Sequence, residues 1–177
     1  LDQRENRAAV AAYVRPGMDC LDCFTYSGGF ALQMARAGGR VTGVDISEVA
    51  LKEAREAAER NAIQAEWVEA NAFDWLKEHS LEGEAFDLIV LDPPAFAKKK
   101  DKIDAAIRGY TEVNLRALQL LRPGGILVSC SCSYHLSEKA LHDLVLSASL
   151  DTGRRVQLLE RREAGRDHPA LLGVPET

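Results

Sequence analysis

Phe86-Asp87-Leu88-Ile89-Val90-Leu91-Asp92-Pro93-Pro94 decides the fold. The run is apolar except for Asp87 and shows no alternation of inward and outward positions. A strand of that composition is covered on both faces, as central strands of parallel sheets are. The prolines end it, because proline neither donates to a ladder nor tolerates a helix before it. Phe86–Leu91 is therefore expected as the fourth and central strand of an α/β sheet, with an acid at its carboxyl end.

Outward from this run, strand and helix patterns alternate from Met18 to about Leu158, which predicts a mostly parallel, doubly wound sheet. Upstream, Asp2–Val14 reads as an amphipathic helix before the turn Arg15-Pro16-Gly17. Asp19–Phe24 is strand one, and Gly28-Gly29 turns into a helix through Ala37 that Gly38-Gly39 stops. Arg40–Val44 is strand two, ending at Asp45. Ser47 caps a helix to Asn61, with Leu51, Ala54 and Ala58 at core spacing. Ala65–Glu69 is strand three and Phe73–Glu78 a short helix. Downstream, Ile103–Leu121 forms a long helix closed by Arg122-Pro123-Gly124-Gly125. Ile126–Cys130 is strand five, Ser137 caps a helix to Leu150, and Arg155–Glu160 is strand six.

At 177 residues and 46% hydrophobic, the chain can bury the core of one globular domain. No apolar run approaches the roughly 18–20 residues that span a bilayer. Because it starts at Leu1, it reads as part of something longer. A net charge of −5 argues against a domain that coats nucleic acid, which needs clustered Lys and Arg. The basic cluster Lys98-Lys99-Lys100 with Lys102 follows the prolines and reads either as a solvated loop or as a phosphate contact. Cys20/Cys23 and Cys130/Cys132 raise zinc or disulfide readings. The first pair sits within a strand pattern and the second has a single spacer, so no metal and reduced thiols in a cytoplasmic enzyme are expected.

Ligands of open α/β sheets bind outside the carboxyl ends of the strands. There, Phe24-Thr25-Tyr26-Ser27-Gly28-Gly29-Phe30 would lie against a nucleotide-like cofactor, and Asp45 could accept from both ribose hydroxyls. The full G-x-G-x-x-G fingerprint is missing, which counts against NAD and its pyrophosphate. S-adenosylmethionine has no phosphate, so a less glycine-rich turn suffices. Asn71 could read the adenine edge beside Ala72 and Phe73, or simply cap the helix that follows. Asp92 can grip a planar base, with the flat faces of Pro93 and Pro94 stacking on it. Cys132, between Ser131 and Ser133 just beyond strand five, could attack that base or be an ordinary core thiol.

These stretches resemble the catalytic domain of bacterial large-subunit ribosomal RNA 5-methylcytosine methyltransferases, class I enzymes that use S-adenosylmethionine. The likeness runs in order through Leu1-Asp2-Gln3-Arg4 with Arg7, Cys23–Phe30, Val44-Asp45-Ile46-Ser47, Leu91–Phe96, Arg108-Gly109-Tyr110, Ser131-Cys132-Ser133 and Asp167-His168-Pro169. It implies a Rossmann-like fold in which residues 1–17 lead into a catalytic domain over 18–177. Phe24, Tyr26, Ser27, Gly28, Gly29, Asp45, Ile46, Ser47, Asn71, Ala72 and Asp92 would hold the cofactor. Asn71 replaces the family's usual aspartate. Pro93, Pro94, Phe96, Lys98, Arg108 and His168 would face the substrate. The family's RNA-binding PUA domain is absent here, so ribosomal RNA would be gripped mainly elsewhere. The family's final sheet strand is absent as well, which predicts weak stability, or a homodimer or other association through the unpaired edge.

In the mechanism so implied, Cys132 adds to position 6 of a flipped-out cytosine and Asp92 steadies its N3/N4 edge. Related RNA enzymes carry a second cysteine after the acid-proline pair. Here Pro94-Ala95-Phe96 leaves water or another pocket residue to take the position-5 proton. DNA enzymes place the nucleophile itself there, which disfavours DNA. The alternatives are an exocyclic-nitrogen methyltransferase, which needs no thiol, and a domain that binds cofactor or RNA without turnover.

Overall fold

The computed structural model describes residues 3–83, 85–96, 103–133, 136–163 and 165. In chain order the elements are α1 (Arg4–Ala11), β1 (Asp19–Cys23), α2 (Gly29–Arg36), β2 (Arg40–Asp45), α3 (Glu48–Arg60) and β3 (Glu66–Glu69). They continue with α4 (Ala72–His79), β4 (Phe86–Leu91), α5 (Ile103–Leu120), β5 (Leu121–Ser129) and α6 (Glu138–Asp151). The strands form one sheet in the order β3-β2-β1-β4-β5, and every pairing is parallel.

The reversal of strand order beside β1 and β4 makes these two the centre. Alternate residues of β4 go to opposite faces. Leu88 and Val90 join Cys20, Val41, Phe30 and Met34, and α1 adds Val10 with Val14 just beyond it. Ile89 and Leu91 join Leu21, Cys23 and Val44 beneath α4 and α5. Each fully buried Leu or Ile stabilises the fold by roughly 1.5–3 kcal/mol. The α/β, mostly parallel, doubly wound arrangement is that expected from the sequence.

At the amino end of the sheet, Arg122 Nη1 bridges Asp19 Oδ2 and Asp87 Oδ2, both at 2.9 Å. Asp87, the exception in the apolar run, also accepts from the Asp19 amide at 2.8 Å. The acid thus stitches β1 to β4 where the core meets solvent.

Three expectations need correction. Strand six, expected over Arg155–Glu160, is not a strand: residues 154–163 are in no ladder. A strand exists only through hydrogen bonds to a neighbour, and β propensity alone cannot supply them. Val156, Leu158 and Leu159 are exposed accordingly. β5 starts at Leu121 rather than Ile126, because Phe86 pairs with Leu121 and Leu88 with Ile126. Arg122–Gly125 bulge out between those pairs, and Gly124 adopts φ 77°. α1 is shorter than Asp2–Val14, closing in turns after Ala11. Other boundaries agree within one or two residues. No helix among the described residues is long and apolar enough to cross a membrane.

Candidate functional site

Because all five strands run the same way, Cys23, Asp45, Glu69, Leu91 and Ser129 end along one edge of the sheet. The turn after β1 is strained. Phe24 and Tyr26 have φ of 63° and 50°, the left-handed region that side chains disfavour, and Gly28 has φ 82°. Such strain persists only where surrounding bonds over-determine it. Here the Thr25 amide donates to Val44 O at 3.1 Å, and the Gly28 amide to Thr25 O at 2.9 Å. The Thr25 hydroxyl donates to Asp22 Oδ2 at 2.6 Å. Gly28 has a second constraint, since a Cβ there would sit 2.8 Å from the Trp67 ring.

Asp45 holds the facing side. Its Oδ2 accepts from the Tyr26 amide at 2.8 Å and its Oδ1 from the Ser47 amide at 2.9 Å. A carboxylate offers about four acceptor positions, so each oxygen retains one for a ligand. Tyr26 and Ile46, on either side, are 66% and 68% exposed, large apolar surfaces that a planar ligand would cover. The Ser47 hydroxyl caps α3 by accepting from the Ala50 amide. Asn71 Oδ1 caps α4 through the Phe73 amide at 2.9 Å, which leaves its amide nitrogen to donate elsewhere. Ala72 is buried.

Phe24, Phe73 and Phe96 pack as a cluster with centroids 5.5–6.3 Å apart, and Phe96 lies 4.6 Å from Tyr110. Tyr110, on α5, is fully buried with its hydroxyl between Ser131 Oγ at 3.1 Å and Ser133 Oγ at 3.2 Å. Burial pushes its phenol up from the ordinary value. The tyrosine thereby pins the loop that carries Cys132. That thiol is exposed, and its Sγ lies 3.6 Å from the Pro93 carbonyl oxygen. Pro93 is buried, Pro94 exposed and Asp92 half-buried. The acid-proline corner and the thiol therefore stand side by side at the ends of adjacent strands.

Arg108 is exposed on α5, one residue before Gly109, which approaches the Phe96 ring. Lys98 and His168 lie outside the described residues. Cys20 and Cys23 are buried, and burial raises both thiols, Cys20 to about 11. Two concavities, one between β3 and α4 and one between α6 and the coil after it, contain none of Asp45, Asp92 and Cys132. Chemistry, rather than depth, marks the site.

Sequence reasoning assigned no role to five residues here. Asp22, in the middle of β1, is 1% exposed and accepts from the Thr25 hydroxyl and the Ala31 amide. Its Oδ1 has no hydrogen-bond partner, and burial pushes its carboxyl up to about 7. An acid set between Leu21 and Cys23 inside the strand was the available signal. Gln3 donates from Nε2 to Asp92 Oδ1 at 3.3 Å, Asn6 donates to Gln3 Oε1 at 2.7 Å, and Arg162 donates to Asn6 Oδ1 at 2.9 Å. Arg7, on the same helix, lies against Gly29.

A methyltransferase domain family matches residues 15–161. The chain is 43% identical over 180 aligned residues to a "Ribosomal RNA large subunit methyltransferase I" of Shewanella frigidimarina and 41% identical to its namesake in Aeromonas salmonicida. Each alignment covers 99% of this chain and 45% of the relative, so the chain spans under half the length of these proteins. Among solved structures, SMU.776 complexed with SAH superposes with a TM-score of 0.82 at 20% identity, over 97% of this chain and 46% of the other. That likeness shows the fold.

These matches correct the resemblance drawn from sequence. It named a 5-methylcytosine family, whereas the relatives are named for the large ribosomal subunit, with neither a base nor a ring position specified. The large-subunit methyltransferase grouping is what they support.

Proposed function

Because the chain belongs to the methyltransferase domain family, we propose that it binds S-adenosylmethionine at the β1 and β2 ends and methylates position 5 of a cytosine in large-subunit ribosomal RNA. Residues 18–177 would be the catalytic unit, with 1–17 leading into it. The two relatives' names support RNA as substrate, and a cytoplasmic setting follows from that substrate.

The cofactor fits the residues present. Asp45 keeps one acceptor position on each oxygen, suited to a ribose diol. Tyr26 and Ile46 offer apolar cover, the Asn71 amide can donate to an adenine ring, and the strained turn with Gly28 presents bare backbone. Nothing at the turn supplies the additional glycines of a pyrophosphate cradle. S-adenosylmethionine, when bound, supplies an electrophilic methyl group that leaves its sulfur as a neutral thioether.

This chain's own residues do the rest. Cytosine C5 is a poor nucleophile. The Cys132 thiolate forms an S–C bond to C6, and the C5–C6 π pair moves to make C5 electron-rich. Asp92 holds the N3/N4 edge, and Pro93 with Pro94 stacks on the ring. After C5 gains its methyl, water or another pocket residue takes the C5 proton, the C5–C6 double bond re-forms and the thiolate departs. Phe96, Arg108, Lys98 and His168 would contact the RNA around the base.

One observation carries this reading: the exposed thiol of Cys132 stands 3.6 Å from the Pro93 carbonyl, beside Asp92. A thiol serving only the core would be buried, as Cys20 and Cys23 are. The test uses the full-length protein with ribosomal RNA carrying 5-fluorocytosine. The fluorine cannot leave as a cation, so a covalent adduct should accumulate, and Cys132→Ala should form none while still binding cofactor. Undiminished methyl transfer by Cys132→Ala would favour attack by an exocyclic nitrogen instead.

A further inference from the structure

Asp22, Gly43 and Trp67 stand abreast on β1, β2 and β3, and register partners face the same side of a sheet. Gly43 is buried and has ordinary strand backbone, so its conformation does not call for glycine. A glycine inside a strand weakens it and marks a place where something approaches closely. Here an indole approaches. A Cβ at Gly43 would fall 2.8 Å from both Cε3 and Cζ3 of Trp67, so the ring lies across β2 in the space the missing side chain leaves.

The far corner of the same ring meets the turn after β1. A Cβ at Gly28 would fall 2.8 Å from Trp67 Cη2, and α3 closes the other side with Ala54 Cβ at 3.2 Å. Thr25 Cγ2 lies 3.2 Å from the Cβ position of Gly43, which brings the middle of the turn to the same place. Phe24 and Tyr26 hold left-handed backbone, and their turn is hydrogen-bonded only to β1 and β2, through Asp22, Val44 and Asp45. The indole supplies a rigid support from a third strand. Tryptophan has two side-chain torsions, so fixing it costs little entropy for the area it covers.

We propose that Trp67 is a positioning residue for the cofactor turn. From the edge strand β3, its indole holds Thr25 and Gly28 where residues 24–29 meet S-adenosylmethionine. Gly43 is the gap that lets it reach there. This rests on the cofactor assignment above, and it adds two residues that touch no ligand themselves.

The test is a double-variant comparison. S-adenosylhomocysteine is titrated calorimetrically into the full-length protein, Gly43→Ala, Trp67→Leu and the double variant. Gly43→Ala puts a methyl where the ring lies and drives the indole onto Gly28, so the ligand should bind about 10-fold more weakly. Trp67→Leu removes the support and should weaken binding as well. In the Trp67→Leu background the added methyl meets no ring, so Gly43→Ala should then change affinity by less than about twofold. In methyl-transfer assays KM for S-adenosylmethionine should rise with the dissociation constant, whereas an unfolded fraction would lower kcat and leave KM alone. If either single variant fails to fold, the other decides by itself: weaker binding upholds the assignment and unchanged affinity overturns it. Equal losses from Gly43→Ala in both backgrounds would also overturn it. Failure of the unaltered protein to bind S-adenosylhomocysteine would overturn the cofactor assignment instead.

Discussion

Replacing Asp22 by Asn should remove a pH dependence of stability whose sense is opposite to that of most carboxylates. Asp22 is 1% exposed, and burial, the largest cause, raises its carboxyl from 3.8 to about 7. The Thr25 hydroxyl, the Ala31 amide and Arg7 pull it back, and Asp92 adds to the rise. The folded protein therefore keeps a proton that the unfolded chain loses near pH 4. Between those values the native state binds more protons, so this group's contribution is full below about pH 4 and declines as pH rises towards 7. Each pKa unit is worth about 1.4 kcal/mol, which puts the decline at up to about 4 kcal/mol. Asn keeps an oxygen for Thr25 and Ala31 but points an amide at the orphaned Oδ1 position, costing about 1–3 kcal/mol at any pH. The variant should thus gain about 3 kcal/mol on the parent between pH 5 and pH 8, and be the more stable protein at pH 8. Urea unfolding of both proteins without ligand, from pH 5 to pH 8, measures the difference. A gap that stays constant across that range would refute the assignment of a protonated, buried Asp22.

Gly28→Ala should cost about 2–4 kcal/mol, since it adds left-handed strain to a 2.8 Å clash with Trp67; thermal unfolding checks the loss, and calorimetry should show cofactor binding falling with it. Tyr110→Phe removes the bonds to Ser131 and Ser133 and leaves those hydroxyls without their buried partner. It should destabilise by about 1–2 kcal/mol and lower kcat for methyl transfer more than it changes cofactor affinity. Arg122→Met should lower stability at pH 6 and make the fold less sensitive to acid than the parent. Hydrogen bonds from Arg40 and Arg122 hold Asp19 below the ordinary carboxylate range, so its contribution is present above about pH 4 and lost as pH falls. Unfolding at pH 3.5 against pH 6 tests this, and identical acid profiles would refute it.

Features encoded within a few residues were legible in the sequence. The apolar run Phe86–Leu91 and the caps Ser47, Asn71 and Ser137 depend on neighbours one turn or one strand away, and each was read correctly. Parallel strands carry their ends to one edge, so Asp45, Asp92 and Cys132 could be grouped without coordinates. Strand six failed for the complementary reason. Alternation in Val156–Glu160 reports propensity, but a ladder needs a neighbour, and propensity is silent about neighbours. The early start of β5 was equally hidden, because Leu121 is drawn into the sheet by Phe86, 35 residues before it.

The contacts to Asp92 show why the site was harder to read than the fold. Gln3 lies 89 residues from Asp92, and Arg162 lies 156 from Asn6, yet they form one relay. A guanidinium can only donate, so Asn6 must turn its oxygen to Arg162 and its amide nitrogen to Gln3. Gln3 then turns its oxygen to Asn6 and its nitrogen to Asp92. The polarity of the chain is set at its far end by the one member that has no acceptor. The N–H of Gln3 thus takes one acceptor position of Asp92 Oδ1. The N-cap residue of α1, outside the sheet, orients one oxygen of the sheet's acid, a constraint that no local motif records.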